Sequence, residues 1–345
     1  MKLYKPIILI LIIFFKTGTL LSENNLFNVN NIKLEKKDKM ENSTLADKAI
    51  KTGFSQLIAK ILLEEDKKKL SNIDIFSIKQ LVTFYQISNI TDEKKEKEIL
   101  NFNITFDKDK IHNLFFQKGI SYSDISDKEL FILPILIKND EIYIFNNNFF
   151  YDNWNKIYES DLIEFILPLE NIEIIETINK NIENLINIEI KNLFKEYFKK
   201  NLALILIEDN KEKIYIKTII QEKNISKNFK VLNQNLSKNQ FYEKIITETK
   251  KELITLVKMQ NQIDIRTPSF LQAKLKLSNK TNFVDLNSRL KKIDLIENVY
   301  VQDFNRDYMR LRIKYLGKLE KIIHQLKKNN INLKLDNGQW IIKSL

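Results

Sequence analysis

Residues 308–315 read YMRLRIKY, and this stretch decides the fold of the C-terminal part of the chain. Apolar and basic side chains alternate along it, and successive side chains of a strand point to opposite faces of a sheet. The period of two therefore predicts a half-buried strand with one apolar and one basic face. The basic residues on that face are Arg310, Arg312 and Lys314.

The segments on either side of this strand predict an α+β unit over residues 266–345. Its last hairpin turns at Asp336, Asn337 and Gly338, because Asn-Gly tolerates the positive φ of a tight turn. The predicted order β-α-β-β-α-β is that of the ferredoxin-like fold, in which two helices cover one face of an antiparallel sheet. The elements are a strand over 270–277, a helix from 281, strands over 299–304 and 308–315, a helix after 317 and a hairpin over 331–342.

The same order of elements recurs in the N-terminal part, over residues 23–148. Pro134 lies in the last of its predicted strands and indicates a sheet edge or a bulge, because proline has no N–H to donate. We therefore expect a second ferredoxin-like unit here. The elements are a strand over 26–34, a helix over 43–63, strands over 80–88 and 99–106, a helix from 107 to 119 and a strand over 130–137.

Residues 149–265 are predicted to form a third unit of α/β type between these two. The fold class predicted for the whole chain is thus α+β, with repeated ferredoxin-like units that flank a central α/β unit. The central elements are a helix around 150–158, helical sequence over 172–200, strands over 202–207 and 214–220, a weaker strand over 229–232 and a helix over 238–259.

The first 22 residues have the layout of a secretory signal peptide. Lys2 and Lys5 precede an uncharged run from Pro6 to Phe15, and a polar stretch follows Ser22. This run is shorter than the roughly 20 apolar residues that a membrane-spanning helix needs. We expect a periplasmic protein with a cleaved signal peptide, and the alternative is an N-terminal anchor in the inner membrane.

The make-up of the charge narrows the class of partner, and the lack of cysteine narrows the kinds of chemical site. The formal net charge is +11, but only five of the 56 basic residues are Arg. Nucleic-acid binders use Arg for its bidentate fork, so nucleic acid is disfavoured as a partner. The chain has no Cys, which excludes disulfides, thiolate nucleophiles, iron–sulfur clusters and zinc–thiolate sites.

Sequence motifs of catalysis are not found. His112 and His324 lie far apart, and the five Gly do not cluster into a phosphate-binding loop. Carboxylate pairs such as Glu64 and Glu65 are common on helix surfaces. We expect no enzyme, no cofactor and no metal site. A carboxylate-based hydrolase of envelope polymers stays open as a less favoured alternative, because catalytic carboxylates leave no local pattern.

Two features of the sequence could bind a partner. The basic strand face of Arg310, Arg312 and Lys314 could meet anionic lipid heads, a polyanionic glycan or an acidic protein, or it could simply be a solvated face. Tyr151 and Trp154 belong to an aromatic cluster of the kind favoured at interfaces, although such residues also anchor helices to sheets.

Several short segments resemble the proteobacterial envelope-protein family called domain of unknown function 2066. They are 46–50 with 58–61, 103–107 leading into 114–116, 130–134, Asn148 with Trp154, and 167–170. The resemblance covers most of residues 26–200 and implies export to a bacterial envelope, without catalytic residues. We therefore expect a non-catalytic periplasmic scaffold or adaptor that binds another envelope protein. The alternative is a peripheral protein that binds an anionic lipid or glycan surface.

Overall fold

The computed structural model describes residues 26–36, 41–92, 97–125, 127–139, 141–158, 162–197, 199–209, 212–277 and 283–344. The expected signal peptide lies outside these residues. The described chain mixes helices and β-sheets, which confirms the α+β class. It divides into two compact units. The first contains the described residues before 60, residues 64–121 and those from 263 onward, and the second contains residues 60–63 and 122–262.

The N-terminal part of the first unit is a three-stranded antiparallel sheet in the order β1-β3-β2. Gly53 lets the long helix approach this sheet, because a Cβ atom there would lie 2.9 Å from Ile32 Cδ1 and 3.0 Å from Ile104 Cδ1. The elements are β1 (Asn28–Glu35), α1 (Asn42–Ile61), α2 (Glu64–Lys68), α3 (Ile75–Gln80), β2 (Val82–Asp92), β3 (Lys97–Phe106) and α4 (Lys108–Lys118).

Helix α4 begins and ends where the sequence predicts. The carboxylate of Asp107 caps its first turn and accepts a hydrogen bond from the backbone N–H of Lys110 at 3.1 Å. Gly119 ends it in the left-handed region with φ of 60°, which glycine adopts without a Cβ penalty.

The second unit is built on a six-stranded sheet in the order β10-β9-β8-β5-β6, with β7 also paired to β5. Strands β5 and β8 are parallel, and they form the centre of the sheet. Its strands are β5 (Glu129–Lys138), β6 (Glu141–Tyr143), β7 (Glu164–Ile166), β8 (Asn201–Glu208), β9 (Lys213–Ile220) and β10 (Lys223–Lys230), and the short strand β4 (Tyr122–Ser123) lies outside this sheet. The α-helices are α5 (Phe149–Asn153), α6 (Ile172–Lys180), α7 (Ile190–Leu193) and α8 (Lys238–Gln260).

The C-terminal part of the first unit is a five-stranded sheet in the order β13-β14-β12-β16-β15. The predicted succession of elements is present. In the last hairpin, however, β16 rather than β15 lies beside β12, and β12 and β16 are parallel. The elements are β12 (Ser269–Lys276), α9 (Phe283–Lys291), β13 (Ile296–Phe304), β14 (Tyr308–Tyr315), α10 (Leu319–Lys328), β15 (Ile331–Asp336) and β16 (Gln339–Ser344), and the short strand β11 (Gln262–Ile263) precedes them outside this sheet.

The N-terminal segment differs from the predicted six-element unit. Its expected last strand, β5, pairs with β8, β6 and β7 and belongs to the sheet of the second unit. The physical reason is that β5 is apolar on both faces. Leu130 and Ile132 enter the core beneath α8, whereas Leu133 and Ile135 enter the core beneath α6 and α7. The predicted domain boundary between residues 148 and 149 therefore falls inside the second unit.

Pro134 lies inside a central strand, not at the predicted sheet edge or bulge. On one side of β5, residues 129–131 pair with β7 and residues 136–138 pair with β6. Pro134 lies in the gap between these two paired segments. The buried side chain of Asn148 fills this gap, because its Nδ2 donates to the carbonyl oxygens of Pro134, Tyr143 and Ile144 at 2.8, 3.0 and 2.7 Å. The missing N–H of the proline therefore leaves no ladder bond broken.

The predicted helical stretch over 172–200 is broken into short pieces. Helix α6 ends at Lys180, and 3-10 turns at Ile182–Asn187 and Lys195–Tyr197 flank α7. Asn184 has non-helical backbone angles (φ −144°, ψ 49°). Asn side chains compete for backbone hydrogen bonds, so an Asn-rich apolar pattern makes turns as readily as a continuous helix.

Candidate functional site

The candidate site is the exposed face of the C-terminal sheet. Alternate residues of β12 and β14, among them Leu271, Ala273, Leu311 and Ile313, are buried and form one face. The other face carries the side chains that lie between them. We call it the basic sheet face, and its residues are Phe270, Gln272, Lys274 and Lys276 of β12, Tyr308, Arg310, Arg312 and Lys314 of β14, and Asn298 and Tyr300 of β13.

Strand pairing places Arg312 at the centre of the basic sheet face. It lies directly opposite Gln272 on one side and Tyr300 on the other. Its guanidinium carbon is 4.1 Å from the ring centroid of Phe270, a cation–π distance. The face repeats this arrangement nearby, because Lys274 Nζ lies 3.9 Å from the ring centroid of Tyr308.

Carboxylates of β13 bind cations at the border of this face. Arg310 Nε lies 2.9 Å from Asp303 Oδ2, and the hydrogen bond and charge of Asp303 raise the pKa of Arg310. Lys314 Nζ lies 2.7 Å from Glu297 Oε2. Strands β12 and β14 themselves contain five Lys and Arg residues and no Asp or Glu. The face therefore has an excess of positive charge over β12 and β14.

The sequence identified part of this face. Arg310 and Arg312 are exposed and Lys314 is half-buried, and the structure brings all three together on one face as predicted. Phe270, Lys274 and Tyr300 were not identified, since they lie on neighbouring strands. The alternation in residues 270–277 was a signal for them, but only the strand register shows which of these residues adjoin Arg312.

Trp154 and Tyr151 do not form an exposed surface. Trp154 is completely buried, packs edge-on against Phe165 at 6.3 Å between ring centroids, and lies beneath the ammonium group of Lys250. The hydroxyl of Tyr151 donates to the carbonyl oxygen of Pro168 at 2.7 Å. The interface interpretation of Trp154 is therefore wrong, and both side chains anchor their helix to the surrounding core.

His112 is a buried residue of α4 in the first unit. Burial, together with the nearby positive charge of Lys108, lowers its pKa to about 4, and the carboxylate of Glu297 opposes part of that effect. Its ring meets the ring of Phe27 edge-on at 5.6 Å between centroids. Lys108 and Glu297 also line a groove of about 680 Å³ in this unit, together with Asp109 and Lys291. Charges of both signs line the groove, so it does not select one class of charged ligand.

Among the described residues, no group of three or more His, Asp or Glu side chains could hold a metal ion. No helix in that part of the chain is both long and apolar enough to cross a membrane.

Comparison with known protein families, with curated proteins and with solved structures finds no match for this chain.

Proposed function

We propose that this chain is a non-catalytic, exported protein of the bacterial cell envelope that docks an acidic partner protein on its basic sheet face. The observation that carries the proposal is the asymmetry of the C-terminal sheet. Strands β12 and β14 bury one face, and on the other they carry five Lys and Arg residues, three of them exposed, without a carboxylate of their own. A patch of one charge sign attracts and orients a partner of the opposite sign.

Exposed aromatic side chains on the same face support a protein as the partner. Phe270 and Tyr300 are each 47% exposed, in the midst of Arg312, Lys314 and Lys274. Aromatic and Arg residues are enriched at the centres of protein interfaces, where they contribute most of the binding energy. The ion pairs with Asp303 and Glu297 support carboxylates as the groups that this face binds.

The signal-like N-terminus and the resemblance to an envelope-protein family support the periplasm as the location. The proposal includes a cleaved signal peptide, and the alternative is an N-terminal anchor in the inner membrane. We further propose that the C-terminal sheet is a ferredoxin-like variant with an added strand, and that the N-terminal sheet is a shortened relative of it. The order β13-β14-β12 and the helices between these strands support this view.

A second candidate is a peripheral protein that binds an anionic lipid or glycan surface. Phe304, which is 73% exposed at the end of β13, favours the lipid version, because an aromatic ring beside a cationic face suits the boundary between headgroups and acyl chains. Such binding would need no defined partner protein.

The test compares two charge-reversed proteins in the cells that produce this chain. In one, Lys274→Glu and Arg312→Glu reverse the basic sheet face, and in the other, Lys223→Glu and Lys230→Glu make the same charge change on exposed positions of β10. We expect crosslinking to recover an acidic envelope protein with the natural chain and the β10 variant, but not with the face variant. Equal recovery with both variants would contradict the proposal.

Sedimentation of the purified protein with anionic vesicles distinguishes the second candidate. If the natural chain sediments with these vesicles, the face variant does not, and no partner protein is recovered from cells, the lipid surface replaces the acidic protein as the ligand of the basic sheet face. Vesicle binding that persists at high salt would contradict the lipid candidate, since added salt screens the interactions between exposed charges.

A further inference from the structure

The outer edge of β2 is a second exposed surface of the first unit, separate from the basic sheet face. Strand β2 ends the order β1-β3-β2, and among the described residues only β3 pairs with it as a strand. Residues 83–89 are all exposed. Phe84, Tyr85 and Ile87 are large apolar side chains with exposed fractions of 47, 44 and 43%. The edge thus offers unpaired backbone groups beside apolar side chains.

The lack of protection on this edge is unusual for the molecule. Natural proteins protect sheet edges with lysines, prolines, bulges or short strands. Strand β10 carries three lysines in eight residues, and β13 has a bulge between Val301 and Asp303. Strand β2 has no charged residue and no proline from Val82 to Thr91, and its register with β3 is regular from Phe84 onward. This edge is therefore suited to pair with another strand.

We infer that the edge of β2 pairs antiparallel with β2 of a second copy of this chain. The lack of charge on β2 permits this occupant at this place, and the order of its side chains favours it. Two copies that each carry a net charge of +11 repel each other, and an uncharged strand lets them meet without like charges directly opposite. A two-fold axis perpendicular to the sheet would join the two three-stranded sheets into one sheet of six strands.

The side chains of β2 are complementary to themselves in this arrangement. When two identical antiparallel strands pair about a two-fold axis on one residue, each residue faces another from the same side of the sheet. With the axis at Gln86, Tyr85 of each copy faces Ile87 of the other, on the side that also carries the buried residues Phe102 and Ile104. On the opposite side, Phe84 faces Ser88. Large apolar side chains therefore meet on one face of the sheet, and uncharged side chains meet on the other.

The first test measures the mass of the purified full-length protein by sedimentation over a range of concentrations. We expect the natural chain to shift from monomer to dimer as the concentration rises. Ile87→Lys should raise the dissociation constant by at least about tenfold, because it places two lysines near each other across the pair. Val301→Lys is the matched control, since Val301 is 42% exposed on β13, an edge strand of the C-terminal sheet.

Each outcome decides the proposal. Dimers that Ile87→Lys weakens and Val301→Lys spares support pairing at β2. The proposal is overturned if the natural chain stays monomeric at all concentrations, if Ile87→Lys leaves the dimer intact, or if both variants weaken it equally. The basic sheet face plays no part in this test, so its result is independent of the proposed acidic partner.

The second test uses the lack of Cys in the chain. Single cysteines replace residues 84–88 one at a time, and the proteins are then oxidised. In a two-fold antiparallel pair, only positions close to the axis bring two equivalent Cα atoms within the roughly 4.4–6.8 Å that a disulfide spans. We expect crosslinking to peak at one position and to fall off on both sides. Even crosslinking at all five positions, or none, would overturn the proposed pairing.

Discussion

The N-terminal and C-terminal sheets of the first unit begin with the same succession of elements and end differently. The C-terminal segment keeps its final hairpin, which completes a five-stranded sheet through β16. The N-terminal segment loses its expected last strand, because β5 pairs with β8 in the second unit. The contrast teaches that the order of elements along the chain does not by itself choose strand partners. Whether a strand is buried on one face or on both is the stronger determinant of its pairing partners.

The two strands differ visibly in sequence. Strand β15 reads INLKLD, and its apolar and polar residues alternate, as in a strand with one solvated face. Strand β5 reads ELFILPILIK, a nearly continuous apolar run that is typical of a strand covered on both sides in a parallel sheet. A three-stranded sheet with helices on one face cannot bury such a run, whereas the centre of the second unit can.

The largest expected effect comes from a shortened side chain in β5. Leu133 is completely buried, and Leu133→Ala should lower the free energy of unfolding by about 2–5 kcal/mol through lost burial and a residual cavity. Leu335→Ala in β15 is the matched control, because Leu335 is 58% exposed, and we expect a change of less than about 0.5 kcal/mol. Denaturant unfolding measures both. Similar losses for the two variants would contradict the two-faced burial of β5.

The next effect concerns the side chain that lets β5 contain a proline. Asn148→Ala removes the donor to three carbonyl oxygens and the cap of α5, so we expect a loss of about 2–4 kcal/mol in the free energy of unfolding. Asn171 caps α6 near the surface with one hydrogen bond to the backbone N–H of Glu173. Asn171→Ala should cost about 1 kcal/mol or less. Equal costs would show that the network around Pro134 is not needed.

A third and more gradual effect concerns pH and the N-terminal sheet. The folded pKa of His112 is about 4, below its ordinary value of 6.5, so folding favours the neutral ring. Stability from this group is fully present above about pH 6.5 and is lost as the pH falls toward 4, by up to about 3 kcal/mol. The difference in unfolding free energy between the natural chain and His112→Leu should change over this range. A difference that stays constant with pH would contradict the burial of His112.

Much of the local structure was predictable, because period and capping are local properties. The alternation in residues 308–315 and the Asp107 cap with Gly119 predicted β14 and α4 close to their observed bounds. The partner of β5 was not predictable from element order, since it depends on which distant segment covers a second apolar face. The broken helix after α6 was missed because Ile and Asn in that stretch suit both helices and turns.

For the candidate site, the sequence predicted which residues of a single strand share a face, but not which residues of other strands lie beside them. A strand pattern shows that Arg310, Arg312 and Lys314 share a face, because side chains alternate. It does not show that Phe270 lies beside Arg312 or that Tyr300 lies opposite it, because this depends on the register with two other strands. For Trp154, residue type alone favoured an interface and a core anchor alike, and burial in the second unit decided for the anchor.

The measurement that tests the central claim most directly is site-specific photocrosslinking in the cells that produce the protein. A photoreactive residue replaces Gln272, which lies beside Arg312 on the basic sheet face, or Asn224, an exposed residue of β10 in the second unit. The proposal predicts that residue 272 crosslinks to an acidic envelope protein, that residue 224 does not, and that Arg312→Glu removes the crosslink. Equal crosslinking from both positions, or none from residue 272, would contradict the proposal.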